Sequence, residues 1–565
     1  MPRQQYKKEP YRFQAGALGH IEGVTVSHRS DAKPLLRYFG GLPYALPPTG
    51  SYRFRRPRPL PEQYRYGTRA NPGRFTRSTA ICPQPVYGTK YPAALWDEDC
   101  LQLNVYIPTG TPPSGGWPVF FYIHGGFLQW GSANMTPEAV VPLMMETDFA
   151  AIIVMPAYRV NALGFLASKD LQAEAERNGE AAGNMGFWDQ RAALEWTHKH
   201  ISCFGGDAAN ITVGGYSAGS HSTFQQLAYE LYFVPDDKAI IRRAIMWSNS
   251  PGVQPRTATE HQKQFDEYIT RLGMPLDIPA NEKLQRLRDT PVERLIEAQS
   301  AMTISEFRAT SDDSFIPKDV IAKINSGDFG RRMQKRGMKL MNGECRDEQN
   351  LYRQWRTPAS SYEAVYTRLC ADYPERAVKP LMEHYCGVNH SLPVAQGDWQ
   401  DLFGRLYANM QVHCLERGFC NGLVKGGMRP GKDLLRYRFD WRANCVEMPK
   451  EWGVTHATDS GWAYLHERVN LLTCYSVAIW FHGEGGTITE DEKVILKPWH
   501  DAFAAFVKGG DVAWPTSTVQ DMMRLRKDGT TDTWIDDRWD EGVEIWNLVN
   551  QNTGTGVLGW LRAKL

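Results

Sequence analysis

A serine stands between two glycines in the segment GYSAG at residues 215–219, which fits the pattern Gly-x-Ser-x-Gly. The apolar run at residues 211–213 precedes this segment, and residues 220–230 can form a helix after it. A strand, a sharp turn and a helix in this order hold a serine oxygen at the helix N-terminus, where a developing negative charge is stabilised. The pattern therefore predicts Ser217 as the nucleophile of an acyl-transfer reaction. The alternative is a glycine-rich turn with an incidental serine.

A second glycine motif, HGGF at residues 124–127, follows the apolar run at residues 119–123. A tetrahedral ester intermediate needs backbone N–H donors aimed at its new oxyanion, and a glycine-bearing loop after a strand can supply them. The candidate donors are the N–H groups of Gly126, Phe127 and Ala218. We interpret His124, which lies inside this loop, as a structural, hydrogen-bonded residue.

Short apolar runs alternate with amphipathic stretches along the chain, which is typical of an α/β protein with a mostly parallel sheet. Further buried strands are expected at residues 152–155, 244–247 and 339–341. Residues 357–433 are polar and helix-like, and we predict that they form a helical insertion or lid over the sheet. No linker rich in Pro, Gly or Ser divides the chain, so residues 1–565 are expected to form one large domain.

The overall composition argues against several classes of function. The formal net charge is +1, so no overall field attracts nucleic acid or an anionic membrane. No run approaches the ~20 apolar residues of a membrane span, and the N-terminal stretch lacks the apolar segment of a secretory signal. The C-terminal Ala563-Lys564-Leu565 is close to a peroxisomal import signal, which makes the cytoplasm and the peroxisome the two alternative intracellular locations.

The ten cysteines are scattered, without the CxxC pairs or histidine-rich neighbours of a zinc site. A zinc site is therefore not expected. The acyl-transfer reaction predicted from the serine motif needs neither a metal nor an organic cofactor, and it makes a small-molecule ester the expected binding partner. The sequence leaves the oligomeric state open. Cys82 and Cys100 are placed for a short disulfide loop, and the alternative is a pair of free buried thiols.

Several blocks of the chain resemble the type-B carboxylesterase and lipase family, which includes cholinesterases and some fungal lipases. They are FGGLPYA at residues 39–45, EDCLQLNV at 98–105, GFL at 164–166 and FGGD at 204–207, followed by the serine motif. The resemblance covers most of the chain. It implies the α/β-hydrolase fold, with a central, mostly parallel sheet, helices on both faces and a helical insertion before the catalytic histidine.

The same resemblance implies partners within the scaffold. Arg53 is expected to pair with Glu98, and Arg159 with Asp189. These charge pairs would fix geometry, and removing one partner of a buried pair costs ~3–5 kcal/mol. The resemblance also implies a disulfide between the two cysteines placed for a short loop.

The acid of a catalytic triad follows the serine in this fold and precedes the histidine. The predicted strand at residues 339–341 is followed by GECRDE at residues 343–348. The family places its acid five residues after that glycine, which selects Glu348. Asp347 is the close competitor and Glu344 a distant one, since the chemistry requires only a carboxylate that reaches the imidazole.

The family resemblance also selects the general base from the 14 histidines. The segment WGVTHATD at residues 452–459 resembles the histidine block of the family and points to His456. His482, beside several glycines, and His500 are the alternatives. His500 lies in an amphipathic stretch, so we interpret it as structural.

The sequence departs from the family pattern at four positions near these motifs. Tyr216 replaces a common glutamate, whereas Phe127, Gln349 and Asn249 replace common glycines. A positive φ would be strained for a phenylalanine, and the side chain of Phe127 could narrow the acyl pocket. None of these changes removes a catalytic group, so they concern the range of substrates.

These residues together predict a carboxylic ester hydrolase that uses Ser217, His456 and Glu348 in a two-step acyl-enzyme mechanism. One alternative keeps the triad but passes the acyl group to an alcohol or amine, which would make the protein an acyltransferase. A second alternative is a non-catalytic, cholinesterase-like binding protein. The presence of all three triad candidates disfavours this last interpretation.

Overall fold

The computed structural model describes residues 5–85, 95–446, 448–456, 479–482 and 488–551. The C-terminal tripeptide that resembles a peroxisomal signal lies outside the described residues. Within the described ranges, no helix combines the length and the apolar character needed to cross a membrane.

Strands and helices alternate through most of the chain. The strands are β1 (Tyr6–Gln14), β2 (His20–His28), β3 (Pro34–Pro43), β4 (Ala45–Leu46), β5 (Arg58–Pro59), β6 (Gly73–Arg74), β7 (Gln102–Pro108), β8 (Trp117–Ile123), β9 (Ile152–Pro156), β10 (Gly206–Tyr216), β11 (Ile241–Trp247), β12 (Lys339–Cys345), β13 (Leu434–Phe439), β14 (Asp521–Leu525) and β15 (Thr531–Ile535). The helices are α1 (Pro137–Glu146), α2 (Asn161–Phe165), α3 (Lys169–Arg177), α4 (Met185–His200), α5 (Ala218–Phe233), α6 (Ala258–Arg271), α7 (Ala280–Asp289), α8 (Val292–Ser300), α9 (Val320–Asn325), α10 (Asp328–Lys335), α11 (Gln349–Gln354), α12 (Tyr362–Asp372), α13 (Glu375–Cys386), α14 (Trp399–Gln411), α15 (His413–Lys425), α16 (Glu490–Lys508) and α17 (Trp539–Asn550).

In the described part of the chain, 13 strands form one sheet in the order β1-β2-β3-β7-β9-β8-β10-β11-β12-β13-β14-β15, with β6 beside β2. Each neighbouring pair from β9 to β14 is parallel. The other pairs along that order are antiparallel. β8 and β9 are buried along almost their whole length, as strands covered on both faces are. The parallel centre of the sheet that the apolar runs predict is confirmed.

The parallel strands bring the three loops that carry predicted site residues to one edge of the sheet. Gly215 of β10 pairs with Ile123 of β8 on one side and with Met246 of β11 on the other. Farther along, Gly343 of β12 pairs with Trp247 of β11. Because all four strands run in the same direction, the segments that follow β8, β10 and β12 emerge together at their carboxyl ends.

Residues 357–433 contain the four helices α12 to α15, which stand between β12 and β13. Helix α14 packs against α11, and α15 packs against α17. Helix α11 begins immediately after Glu348. The contact between α14 and α11 therefore ties this helical region to the loop that carries the predicted acid.

Two bidentate ion pairs fix loops of the scaffold. Nε and Nη2 of Arg53 donate to the two carboxylate oxygens of Glu98, at 2.7 and 2.5 Å. Nε and Nη2 of Arg159 donate in the same way to Asp189, at 2.7 Å each. Both pairings implied by the family resemblance are confirmed.

The disulfide expected between Cys82 and Cys100 is not formed, and both residues are free, buried thiols. The thiol of Cys82 donates to the carbonyl oxygen of Pro83 at 3.7 Å, and the proximity of Cys82 together with burial raises the pKa of Cys100. The expectation of a disulfide was wrong for this structure, and the alternative of two buried thiols describes it.

Candidate active site

Ser217 lies at the turn between β10 and α5, with φ 56° and ψ −123°. This left-handed φ is strained for a serine, and the close approach of the neighbouring strand holds it in place. A Cβ on Gly215 would lie 2.6 Å from the carbonyl oxygen of Ile123, and a Cβ on Gly219 would lie 2.0 Å from the same oxygen. The two glycines of the motif are therefore what allows β8 to approach the turn.

His456 connects the serine to a carboxylate. Nε2 of His456 lies 2.9 Å from Oγ of Ser217, and Nδ1 lies 2.5 Å from Oε2 of Glu348. The other carboxylate oxygen of Glu348 accepts a hydrogen bond from the backbone N–H of Cys345 at 2.9 Å, which orients the carboxylate. All three side chains are buried. This arrangement can pass a proton from the serine to the imidazole while the carboxylate stabilises the imidazolium that results.

The competing acids contact other groups. Asp347 forms an ion pair with Arg346 at 2.6 Å. Its backbone N–H donates to the carbonyl oxygen of Val454 at 2.8 Å, and its carboxylate accepts from the N–H of Val454 at 2.9 Å. Glu344 is paired with Arg417 at 2.9 Å. Asp347 thus joins the loop that carries Glu348 to the loop that carries His456. Glu344 belongs to a separate ion pair.

His124 is held by its own loop. Its Nδ1 donates to the carbonyl oxygen of Gly125 at 2.8 Å, and its ring stacks on Tyr158 with the centroids 4.3 Å apart. The hydroxyl of Tyr158 donates to the carbonyl oxygen of His124 at 2.8 Å. Burial lowers the pKa of His124 to about 4, so this imidazole is neutral near pH 7 and shapes the loop that follows β8.

The two alternative histidines lie outside the triad arrangement. Nε2 of His482 is 3.2 Å from a carboxylate oxygen of Glu146. His500 lies within α16, and its Nε2 donates to the carbonyl oxygen of Ile479 at 2.5 Å. The two rings contact each other, with their centroids 4.8 Å apart, so they form a packed pair of their own.

The loop after β8 lies against the turn that carries Ser217. A Cβ on Gly125 would be 3.2 Å from Cβ of Ser217. Gly126 has φ 112°, and a Cβ there would lie 1.9 Å from a backbone carbonyl oxygen, so only glycine fits. Among the described residues, neither Gly126 nor Phe127 donates its N–H to another group. The N–H of Ala218 opens α5 and so has no acceptor within that helix.

Phe127 adopts the positive φ that the sequence marks as a source of strain, with a value of 56°. Its ring stacks on that of Trp355, with the centroids 4.2 Å apart and the planes inclined by 2°. Its carbonyl oxygen accepts hydrogen bonds from the guanidinium of Arg308 and, at 3.3 Å, from the side-chain amide of Gln129. Aromatic packing and these two hydrogen bonds hold the loop against the backbone strain.

Two tyrosines that sequence analysis did not assign to the site pack against the imidazole of His456. The ring centroid of Tyr352 lies 4.6 Å from that of His456, and that of Tyr216 lies 5.0 Å from it. The hydroxyl of Tyr352 is 3.1 Å from Nδ1 and 3.2 Å from Nε2. Tyr352 follows Glu348 by four residues at the start of a helix, and this spacing was the available signal because such residues share a face.

A cavity of about 80 Å³ opens beside Ser217. Phe127 and Ala218 form part of its wall, and Asp372 and Met410 contribute from the helical region at residues 357–433. The ring of Phe127 therefore limits the space next to Ser217. His456 does not line this cavity.

The sequence of the chain is similar to known esterases along almost its whole length. Residues 13–534 match the model of the carboxylesterase family. A carboxylic ester hydrolase of Gibberella moniliformis is 53% identical over 549 residues, which cover 96% of this chain and 97% of that protein. An uncharacterised esterase/lipase of Schizosaccharomyces pombe is 35% identical over 96% of this chain and 97% of its own length.

The fold is similar to that of solved esterases. The crystal structure of EstA from Aspergillus niger superposes with a TM-score of 0.70, covers 95% of this chain and 98% of its own, and is 21% identical in sequence. A structure of PNB esterase gives a TM-score of 0.68 at 22% identity, with 96% and 99% covered. The α/β-hydrolase fold that the sequence motifs imply is confirmed by these two likenesses.

Proposed function

The chain belongs to the carboxylesterase family and is a carboxylic ester hydrolase, and from that premise we propose that Ser217, His456 and Glu348 form its catalytic triad. The family assignment made from the sequence motifs is confirmed. The observation that carries the proposal is the pair of contacts made by His456, 2.9 Å to Ser217 and 2.5 Å to Glu348. The competing acids and histidines contact groups other than Ser217 and His456, which supports the same choice of residues.

The proposed reaction has two steps. Oγ of Ser217 attacks the ester carbonyl while Nε2 of His456 takes the proton of the hydroxyl. The alcohol then leaves with that proton, and an acyl-enzyme remains. A water molecule, activated by His456 in the same way, releases the acid and restores the serine. Glu348 holds Nδ1 of the imidazole throughout and stabilises its positive charge.

The oxyanion of each tetrahedral intermediate is bound by backbone donors in this proposal. The N–H groups of Gly126, Phe127 and Ala218 are suitable because they surround the serine and have no other acceptor in the described contacts. Donors fixed in a buried site need no reorganisation when the charge develops, and losing one such donor costs about 10²- to 10³-fold in kcat. The chain itself supplies every proton transfer and charge contact in these steps.

We propose a small-molecule ester as the substrate, with residues 357–433 acting as an insertion that covers the site. The support is the position of Asp372 and Met410, both from that region, in the wall of the cavity beside Ser217. A wall built by an insertion can change the accepted acyl group without altering the triad.

The test is to incubate the purified chain with aryl acetates, with and without an alcohol or amine acceptor, and to quantify the products. Release of free acid that persists when the acceptor is present supports ester hydrolysis as proposed. Dominant transfer of the acyl group to the acceptor would instead favour the acyltransferase alternative. Turnover of an ester by the Ser217→Ala variant at the wild-type rate would refute the role given to Ser217.

A further inference from the structure

The cavity beside Ser217 has a cationic wall that the triad does not use. Two arginines, Arg256 and Arg308, line it together with Ala218 and Phe127. Arginine is costly to place beside an enclosed space, because its charge loses water and needs a counter-charge or hydrogen-bond acceptors. The contacts of these two guanidinium groups therefore indicate what the cavity accommodates.

Arg256 forms no ion pair with a carboxylate in the described part of the chain. It donates to the backbone carbonyl oxygens of Cys370, Ala371 and Tyr373, and none of the described carboxylates lies within the 4.0 Å of an ion pair. Burial lowers the pKa of Arg256 below its usual value, although the negative charge of Asp372 acts in the opposite direction. A bound anion would supply an ion-pair partner.

Only some of the N–H donors of Arg308 have acceptors among the described residues. It donates to the carbonyl oxygen of Phe127 and forms an ion pair with Asp372. Its Nε is buried and has no acceptor among the described residues. Asp372 cannot serve a further cation well, because its second oxygen already accepts from Arg368 at 2.6 Å and from Tyr407 at 2.8 Å.

The charges around this wall do not balance. Beyond the cavity, the carboxylate of Glu306 is paired with a further arginine of the same cluster. The cluster consists of four cations and two anions, namely Arg256, Arg308, Arg356, Arg368, Asp372 and Glu306. Of these six residues, two arginines and one carboxylate line the cavity beside Ser217, so its wall carries an excess of positive charge.

The cavity lies on the side of the nucleophile that receives the acyl chain. In the proposed mechanism His456 gives its proton to the leaving alcohol, so the alcohol must lie next to the imidazole. The cavity is lined by Phe127 and Ala218 but not by His456. The acyl part of the ester, which extends from the carbonyl away from the leaving group, is the part that can enter it.

We propose that this cavity is an acyl pocket for a carboxylate, so that the substrate class is the half-esters of short dicarboxylic acids. The proposal rests on the function proposed above. Arg256 binds the distal carboxylate, and the positive charge of Arg308 in the same wall stabilises it further. The reaction consumes one water and one half-ester and releases the dicarboxylate and the alcohol, with no change of oxidation state.

Arg256 also holds the last carbonyl groups of α12, a purely structural role that cations near a helix C-terminus can have. A structural role alone would not distinguish a charged acyl chain from a neutral chain of the same shape. The test must therefore compare substrates within each variant and not only the activity of different variants.

The substrates are the monoethyl esters of malonic, succinic and glutaric acid, each paired with the ethyl ester in which an isopropyl group replaces the distal carboxylate. The two members of a pair have the same number of heavy atoms at that end and differ in charge. The quantity measured is the ratio of kcat/KM for the charged ester to kcat/KM for the neutral one. In the wild type we expect a ratio above one for at least one chain length.

Arg256→Gln should lower this ratio by about 10- to 100-fold, the range expected for losing a hydrogen bond to a charged group. Arg256→Lys, which keeps the charge, should retain most of the ratio. Asn249→Asp, which adds a negative charge to the same cavity with little change of shape, should lower the ratio as well. The matched control is Arg336→Gln, which removes a guanidinium that likewise holds the carbonyl oxygens of Glu230 and Val234, and it should leave the ratio unchanged.

A ratio below one at all three chain lengths in the wild type overturns the proposal. So does a ratio that Arg256→Gln and Asn249→Asp both leave unchanged. If the neutral esters are hydrolysed while either of these results is found, the acyl pocket is wrong and the triad stands. If no ester of either kind is hydrolysed and Ser217 resists an organophosphate, the proposed function fails, and the substrate class fails with it.

Discussion

The ring of Phe127 lies flat against the indole of Trp355, with the centroids 4.2 Å apart and the planes within 2° of parallel. This contact joins the loop after β8 to the residue that follows α11. It also fixes the ring in the wall of the cavity beside Ser217. One aromatic stack therefore sets both the shape of the loop and the size of the space next to Ser217.

Phe127→Gly should shift the preference of the enzyme towards bulkier acyl groups, because the ring occupies space in the cavity wall. Glycine adopts the positive φ of this position without steric strain, so the substitution adds no strain to the loop. The measurement is kcat/KM for aryl esters of increasing acyl length. Trp355→Phe, which keeps an aromatic partner for Phe127, is the control and should keep the wild-type profile. An identical profile in Phe127→Gly would show that the ring does not limit the acyl group.

Ser217→Ala should lower kcat by about 10⁴- to 10⁶-fold while the fold is retained, because no other group replaces the nucleophile. An organophosphate should label Ser217, as mass spectrometry of the digested protein would reveal. Ser220→Ala is a suitable control, since Ser220 is buried in the same helix and its hydroxyl has no partner in the described structure. Labelling that maps to a different serine would exclude the assignment.

Glu348→Gln should reduce kcat by about 10³- to 10⁴-fold, because the amide cannot stabilise the imidazolium of His456. Asp347→Asn should cost less than about tenfold, since Asp347 contacts Arg346 and Val454 and not the imidazole. Steady-state kinetics of both variants on one aryl ester shows which substitution lowers kcat more. Equal losses, or a greater loss at Asp347, would reverse the choice of acid.

Tyr352→Phe should retain kcat to within about tenfold, because the hydroxyl is not a directional partner of the imidazole. It lies 3.1 and 3.2 Å from the two ring nitrogens, and a point equidistant from both at this range lies over the face of the ring, outside the plane of their hydrogen bonds. Tyr352→Ala removes the ring that packs on His456 and should cost more than Tyr352→Phe. A loss in Tyr352→Phe as large as in Tyr352→Ala would assign the effect to the hydroxyl.

Asp372→Asn should destabilise the protein by about 3 kcal/mol near pH 7, because it leaves buried guanidinium groups without their counter-charge. Burial alone would raise the pKa of Asp372, but Arg308 and Arg368 outweigh it and lower the pKa to about 2. The folded pKa lies below the unfolded value of about 3.9, so this stabilisation is complete above that value and is lost as the pH falls towards 2.

Urea unfolding of wild type and Asp372→Asn between pH 3 and pH 8 measures this difference. The free-energy difference between the two proteins should stay constant from about pH 5 upwards and shrink below about pH 4. A difference that is independent of pH down to pH 3 would mean that the charge of Asp372 is not what stabilises the cluster.

The parallel centre of the sheet could be predicted from the sequence, whereas its edges could not. The strands β8 and β9 are buried on both faces and read as continuous apolar runs. At the edges, β1 and β15 alternate between exposed and part-buried positions along most of their length, so no apolar run marks them. Their pairing depends on distant neighbours, which local patterns do not record.

For the site, the glycine motifs were sufficient to indicate Ser217 and the loop of Phe127, because both depend on local backbone geometry. The positions of Glu348 and His456 came from the resemblance to a family, since each lies in a loop without a pattern of its own. The contact of Arg308 with Phe127 spans 181 residues of sequence. No local pattern encodes such a contact, and the cationic wall of the cavity was missed for the same reason.

The hydrogen bond from Arg308 to Phe127 limits how the enzyme can diversify. The same guanidinium holds the loop of the proposed oxyanion donors and forms part of the cavity wall, so any exchange at this position alters rate and selectivity at once. Asn249 and Met410 line the same cavity, and neither is bonded to that loop in the described structure. Directed evolution towards esters of other acids should therefore accumulate substitutions at Asn249 and Met410. Arg308 should stay unchanged until a second substitution replaces its hydrogen bond to the loop.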